Sequence, residues 1–297
     1  MSPSGALGDF LGVVVFHHPE CAGYAAPGHP ERPERVIASA AHLARAVHGL
    51  EWRRPERAAE SDLLLAHSER HLERLRDPAP FDGDTPYHEG IADFAAVSAG
   101  AAIAAMEVAR SGHPALSLMR PPGHHATPDR AMGFCYLNNI AIAALRARAT
   151  GVARVAIWDF DAHHGNGTEA IVRGREGISF ASVHQFPGYP GSGTISDGNC
   201  MNYPVLPDTP PERHMAILRQ SWESLLSFRP DLVLVSAGFD AYEHDPITTL
   251  CLRRDDFITL GGWLHDADLP TAAILEGGYS KDLPVLLAGF LEGWLHG

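Results

Sequence analysis

Val152–Thr168 reads VARVAIWDFDAHHGNGT, a short apolar run that passes without a spacer into Asp, His and Gly. Val152–Trp158 has the length and the β-branched and aromatic content of a strand buried in a sheet. The construction recurs along the chain. Ala115–Met119 runs into RPPGHHA, Ile178–Val183 into HQF, Leu232–Ser236 into AGFDAYEHDP and Ala272–Leu275 into EGGY, and Leu11–Phe16 is a further strand candidate. Longer amphipathic stretches at Arg35–Val47, Gly90–Ala109, Asn138–Arg148, Glu212–Ser227 and Asp256–His265 predict helices between them. Strands alternating with helices define an α/β fold, a parallel sheet with helices on both faces. Such sheets bind ligands beyond the carboxyl ends of their strands. Five strand ends loaded with His, Asp, Gly and Tyr therefore predict one site drawn from residues 115–280, and one domain spanning residues 1–297. The Gly/Pro-rich segments His17–Pro33 and Asp77–Glu89 read as long loops of that domain.

Composition narrows the setting. With 45% hydrophobic residues in 297, the chain has the apolar content of a packed globule, not of a disordered polymer. No apolar run approaches the roughly 20 residues of a bilayer span, and Met1–Phe10 lacks the basic start and apolar stretch of a signal peptide. Cys21, Cys135, Cys200 and Cys251 contain no C-x-x-C pair, so neither a disulfide framework nor a thiolate zinc site is predicted; the expected compartment is the cytoplasm. A formal net charge of −13 excludes a duplex nucleic-acid partner, which rewards clustered Lys and Arg. Lys281 is the only lysine. Nothing in the sequence specifies an oligomeric state. The unusual number is eighteen histidines.

Three strand ends carry the chemistry. Alternation beyond Trp158 puts Asp159, Asp161 and His163 on one side, and a D-x-H pair can chelate a divalent ion through carboxylate oxygen and imidazole nitrogen. A catalytic zinc wants three protein ligands and an open position, and Asp240 at another strand end is the third. Helix capping is the plain alternative for a lone D-x-H, but it does not explain a second acidic strand end together with RPPGHHA. In that loop His124 and His125 diverge too much to share one metal and instead suit proton transfer near neutrality. In EGGY the glycines let the backbone approach a ligand, and Tyr279 offers a phenol to a developing oxyanion. A lone tyrosine would read as a packed aromatic.

With GHPERPERV (28–36), RPPGHHA (120–126), GFCYLNN (133–139), WDFDAHHGNGT (158–168), GFDAYEHDP (238–246) and EGGY (276–279) in this order, the chain resembles the zinc-dependent histone deacetylase and acetylpolyamine amidohydrolase superfamily. The resemblance implies the arginase–deacetylase fold, an eight-stranded, mostly parallel sheet. It implies zinc on Asp161, His163 and Asp240, a site that iron(II) also suits. His124 and His125 become the tandem histidines, with His125 the general base and Tyr279 the carbonyl-polarising residue. Asp159 becomes the buried partner of His124 and, with Asp161, His163 and Ser182, a ligand of a structural potassium ion. Phe134 and Tyr189, the latter where phenylalanine is usual, become the walls of a slot for an acylated lysine stem; Gly133 leaves its carbonyl free at the floor, and Asp84 is the rim aspartate.

Departures from the pattern refine the subclass. Asn166 stands where some members carry aspartate, which leaves His125 less easily protonated. Glu276 replaces a glycine of other members; both resemble the class II branch and its bacterial relatives. Ile247 occupies a position that bears glutamate in the animal polyamine-selective enzyme, and the long insertion of bacterial acetylpolyamine amidohydrolases is missing, so a more open mouth is expected. The resulting expectation is a zinc amidohydrolase that removes acetyl or another short acyl group from the ε-amine of lysine in peptides or proteins. The alternative substrate is an N-acetylpolyamine or other small amide; arginase chemistry and an inactive acyl-lysine binder are remote. Of the eighteen histidines, His124, His125, His163 and His164 lie in the motif cores and His29 and His184 in neighbouring family segments; the other twelve have no assigned role, most being expected at surface or helix positions.

Overall fold

Eight strands form one sheet in the computed structural model, which describes residues 12–297. Leu11, expected to open the first strand, and Met1–Phe10 lie outside the described residues. The strands are β1 (Val13–Phe16), β2 (Leu50–Arg53), β3 (Ala115–Ser117), β4 (Val155–Asp159), β5 (Ile178–Gln185), β6 (Cys200–Val205), β7 (Leu232–Ala237) and β8 (Thr271–Leu275). Their spatial order is β2-β1-β3-β8-β7-β4-β5-β6, and every pairing is parallel.

Burial explains the order. β1, β4, β7 and β8 are buried along their whole length, as strands covered on both faces must be, and their sequences are near-continuous Val, Ile, Leu and Ala. The two strands that the apolar-run criterion does not find, β2 and β6, lie at the edges. LEWR in β2 is half exposed, and β6 carries Pro204, which only an edge or bulge tolerates.

Helices α1 (Glu34–Ala46), α2 (Glu60–Leu63), α3 (Glu69–Arg74), α4 (Ile91–Arg110), α5 (Asn139–Ala149), α6 (Asn166–Val172), α7 (Pro211–Ser227), α8 (Arg254–Ala267) and α9 (Leu283–His296) complete the described fold. The five expected helices are present within a few residues. α9 escaped the periodicity criterion because it is apolar nearly all round and buried against α8 and α1. By length and composition alone, α4 is long and apolar enough to cross a bilayer. Its alanine-rich surface instead packs on β1, β3, β8 and α5, which makes it a core helix.

The adjacency β3-β8-β7-β4-β5 brings the five chemistry-loaded strand ends side by side. Register finishes the alignment, because Asp159 pairs with Ser182 on one side and Ser236 on the other.

Candidate active site

β4 ends at Asp159, so Asp161 and His163 are placed by the turn that follows and not by strand alternation. Backbone donors aim the carboxylates. Asp161 Oδ2 accepts from Gly277 N at 2.7 Å and its Oδ1 from His163 N at 2.8 Å, while Asp240 Oδ1 accepts from Ala162 N at 2.8 Å. His163 Nδ1 then lies 3.1 Å from Asp161 Oδ1 and 2.9 Å from Asp240 Oδ2. Both carboxylates are fully buried.

The donor set fits a divalent cation. One ligand atom from each of Asp161, His163 and Asp240 lies within 4.8 Å of the other two, so these residues could hold a metal ion. Electrostatics agree: against the burial that disfavours its charged form, Asp240 and Asp161 raise the His163 imidazole to about 10. Gly277 is required here, since a Cβ on it would meet Asp240 Oδ2 at 2.3 Å and Asp161 Oδ2 at 2.5 Å. The EGGY glycine expected to admit a ligand therefore makes room for the paired carboxylates.

The tandem histidines sit beside this cluster, with ring centroids 4.0 Å apart and opposite electrostatics. His124 Nδ1 faces Asp159 Oδ2 at 3.0 Å. Burial works against its charged form, but Asp159 and Asp161 prevail and hold it well above the usual histidine range. His125 Nδ1 faces the neutral Asn166 Oδ1 at 2.7 Å. Burial first, then the neighbouring His124 and His163, push His125 well below that range. An amide oxygen as acceptor requires the proton on Nδ1, which leaves Nε2 as a lone-pair base.

A cavity of about 300 Å³ opens over these groups, lined by His125, His163 and Tyr279 at depth and by Phe134, Tyr189, Gly133, His29, Pro30, Asp84 and Ile247 above. Phe134 lies edge-on to Tyr279 (5.7 Å) and Tyr189 edge-on to His125 (5.0 Å). Gly133 adopts φ 57°, and a Cβ there would meet His125 Cδ2 at 2.4 Å. Its carbonyl accepts the weak donor of the Cys135 thiol at 3.3 Å, which leaves a second lone pair for another donor. Asp84 is exposed at the mouth, where its backbone carbonyl meets His29 Nε2 at 3.1 Å. Ser182 Oγ stands 2.9 Å from His184 Nδ1, alongside Asp159.

The contacts made by several neighbours escaped the sequence reading. Arg35 donates Nε to Gly278 O at 2.6 Å and Nη2 to Glu276 O, and its guanidinium lies 4.7 Å from the Tyr279 ring centroid. Burial, with Asp240 and Asp161 adding to it against Arg35, holds the Tyr279 phenol well above its usual value, so it is a neutral donor. Arg120 Nη2 donates to Glu31 Oε2 at 2.7 Å, fully buried. The Glu276 carboxylate accepts from Gly123 N (2.6 Å) and His124 N (3.1 Å), which fixes the histidine loop; burial raises it to about 7. The only signal for these residues was their presence inside the quoted motifs, whose Arg and Glu offered no ligand chemistry to read.

Residues 29–287 match the histone deacetylase domain model, and the chain belongs to the histone deacetylase family. Among curated relatives, it is 39% identical over 281 residues to a histone deacetylase-like amidohydrolase of Pseudomonas aeruginosa, covering 86% of this chain and 74% of that one. Solved structures agree. The HDA15 HD domain superposes with a TM-score of 0.90 at 29% identity, covering 96% of this chain and 91% of that one. An acetylpolyamine aminohydrolase from Burkholderia pseudomallei gives 0.84 at 28% identity, covering 95% and 98%. The fold is thus the arginase–deacetylase fold that the motifs implied.

Proposed function

We propose that this chain, acting as one domain in the reducing cytoplasm, is a zinc-dependent amidohydrolase that removes acetyl or another short acyl group from the ε-amine of lysine in peptides or proteins. The observation that carries the reading is one cavity lined by His125, His163 and Tyr279 together with the rings of Phe134, edge-on to Tyr279, and Tyr189, edge-on to His125. Asp161, His163 and Asp240 would hold the ion, and iron(II) meets the same ligand set. A divalent ion bound there supplies Lewis-acid charge to the amide carbonyl and makes water a better nucleophile. Asp159, Asp161, His163 and Ser182 are read as ligands of a structural potassium ion.

The remaining work falls to side chains of this protein. The aromatic walls hold a neutral, apolar acyl-lysine stem and exclude water from it. His125 Nε2 takes a proton from the attacking water and returns it to the leaving amine. Its low proton affinity keeps it unprotonated at neutral pH. His124, locked to Asp159, keeps a positive charge beside the reacting centre. The Tyr279 phenol donates to the oxygen on which negative charge develops.

A second reading keeps the chemistry and exchanges the substrate for an N-acetylpolyamine, supported by the likeness to an acetylpolyamine aminohydrolase. Ile247 at the mouth weighs against it, since an isoleucine offers no partner to a distal ammonium. Chelator-sensitive, hydroxamate-inhibited turnover of acyl-lysine peptides is expected. The test ranks kcat/KM on an acetyl-lysine peptide against acetylputrescine and acetylspermidine. A polyamine preference of about tenfold, or 1.4 kcal/mol, would reverse the order of the two readings.

A further inference from the structure

Asp245 lies in the turn beyond β7, is only 7% exposed, and does not line the cavity. Its two oxygens face opposite ways. Oδ2 accepts from the backbone N–H of Tyr279 at 2.7 Å and of Ser280 at 3.1 Å, while Oδ1 accepts from the backbone N–H of Ile247 at 3.1 Å. One carboxylate thus joins the loop after β8, which carries the phenol at the cavity base, to the loop after β7, which carries Ile247 at its mouth. Asp245 N in turn donates to Tyr242 O at 2.9 Å, which fixes the clamp to its own turn.

Tyr279 needs such a clamp. It follows Gly277 and Gly278, neither of which has a side chain to brace the loop, and Gly278 adopts φ 114°. Arg35 grips this segment by its carbonyls, at Glu276 and Gly278. Asp161 holds the N–H of Gly277, and Asp245 holds those of Tyr279 and Ser280. A single carboxyl oxygen that accepts from two consecutive backbone N–H groups satisfies both, and its loss leaves buried donors unpaired.

We propose that Asp245 is a positioning residue of the deacylation reaction, setting the Tyr279 hydroxyl against the substrate carbonyl without touching substrate itself. The inference rests on the reading of Tyr279 as oxyanion donor. Its test is a double-mutant cycle of Asp245→Ala and Tyr279→Phe in the metal-loaded enzyme. kcat and KM are read on a fluorogenic acetyl-lysine peptide sensitive enough to follow the Tyr279→Phe residue activity, with metal content and Tm recorded for each variant. Asp245→Ala is expected to lower kcat about 10- to 100-fold with KM within about threefold, the signature of a lost transition-state contact. In the Tyr279→Phe background the same change is expected to cost less than about threefold. Asp245→Asn retains an acceptor for one loop only and is expected to recover about threefold or more over alanine; it carries the cycle if the alanine variant does not fold. Equal losses in both backgrounds, or a change in KM alone, would overturn the placement of Asp245. A Tyr279→Phe enzyme with unaltered kcat would instead bring down the reading of Tyr279 and the proposal with it.

Discussion

Replacing Asn166 by aspartate changes one formal charge and almost no volume, and it acts on the group proposed to move the proton. In the native protein His125 Nδ1 meets an amide oxygen at 2.7 Å, so nothing negative on Asn166 offsets burial and the charges on His124 and His163. A carboxylate there puts a charge about 4 Å from the imidazolium centre, worth ~4 kcal/mol at an effective dielectric of ~20. Relaxation and solvent reduce such gains to the ~1–3 pKa units seen for neighbouring opposite charges. The sign is fixed by the role. A general base works unprotonated, so raising its proton affinity keeps it inactive to higher pH. The acidic limb of kcat/KM against pH is therefore expected to move upward by ~1–3 units in Asn166→Asp, with the alkaline plateau within about tenfold of the native one. The assay is kcat/KM on an acetyl-lysine peptide from about pH 5 to 9, with metal content checked at each pH so that demetallation is not mistaken for titration. A limb that stays in place, or moves downward, would refute the assignment of His125 as the titrating base hydrogen-bonded through Nδ1.

Asp240→Ala is expected to abolish measurable turnover and lower bound metal below about a tenth of native content, checked by elemental analysis after dialysis, since a removed ligand also leaves buried charge unpaired. Ile247→Glu places an acid at the mouth and is expected to shift kcat/KM toward acetylspermidine over the neutral acetyl-lysine peptide by about tenfold, the size of one exposed charge pair or a little more. His214 is fully buried with neither ring nitrogen hydrogen-bonded, so His214→Leu is expected to stabilise the fold by about 1 kcal/mol, or ~2–4 °C in Tm. Burial also lowers His214 to about 4, and burial with His71 lowers His67 to about 3. Because unfolding lets both bind protons below their ordinary pKa of about 6.5, their stability contribution is complete above that pH and declines below it. Each loses about 2 kcal/mol by pH 5, and His214→Leu is expected to remove its own share from the acid limb of a denaturant-melt series.

Much of the sheet could be read from sequence because burial on both faces leaves a plain mark. β4, β7 and β8 are uninterrupted apolar runs, and the polar residues that end them are the site. β2 and β6 left no such mark, since an edge strand needs only half a core face and can carry Glu51 or Pro204. The histidine surplus divides less simply than expected. Of the twelve given no role, His71 and His214 lie on helices as expected, although buried, whereas His18 and His67 are buried outside any helix. His67 illustrates why: its Nδ1 meets Thr127 O at 3.0 Å and its Nε2 accepts from Asn138 N at 2.9 Å, so a neutral imidazole splices the histidine loop to the start of α5. A histidine that satisfies backbone groups has no partner motif to betray it.

The site divides on the same physical line. Residues expected to meet substrate or metal were legible, because Lewis acidity, proton transfer and an aromatic slot each admit few residue types, and Asp161, His163, Asp240, His125, Tyr279, Phe134 and Tyr189 converge around one cavity. The contacts that hold these in place were silent, even for Glu276, which the sequence marks only as a subclass feature. Asp245, Glu276 and Arg35 act on backbone N–H and carbonyl groups, which every residue possesses, so no side-chain spacing announces their targets. Gly277 shows the same effect in reverse. Its lack of a side chain was rightly read as a close approach, but what approaches is the Asp161–Asp240 pair. Sequence states that space is needed there; only the fold states what fills it. The geometry of the charged cluster consequently depends on groups beyond Asp161, His163 and Asp240, since a single methyl at Gly277 would strike an oxygen of both carboxylates.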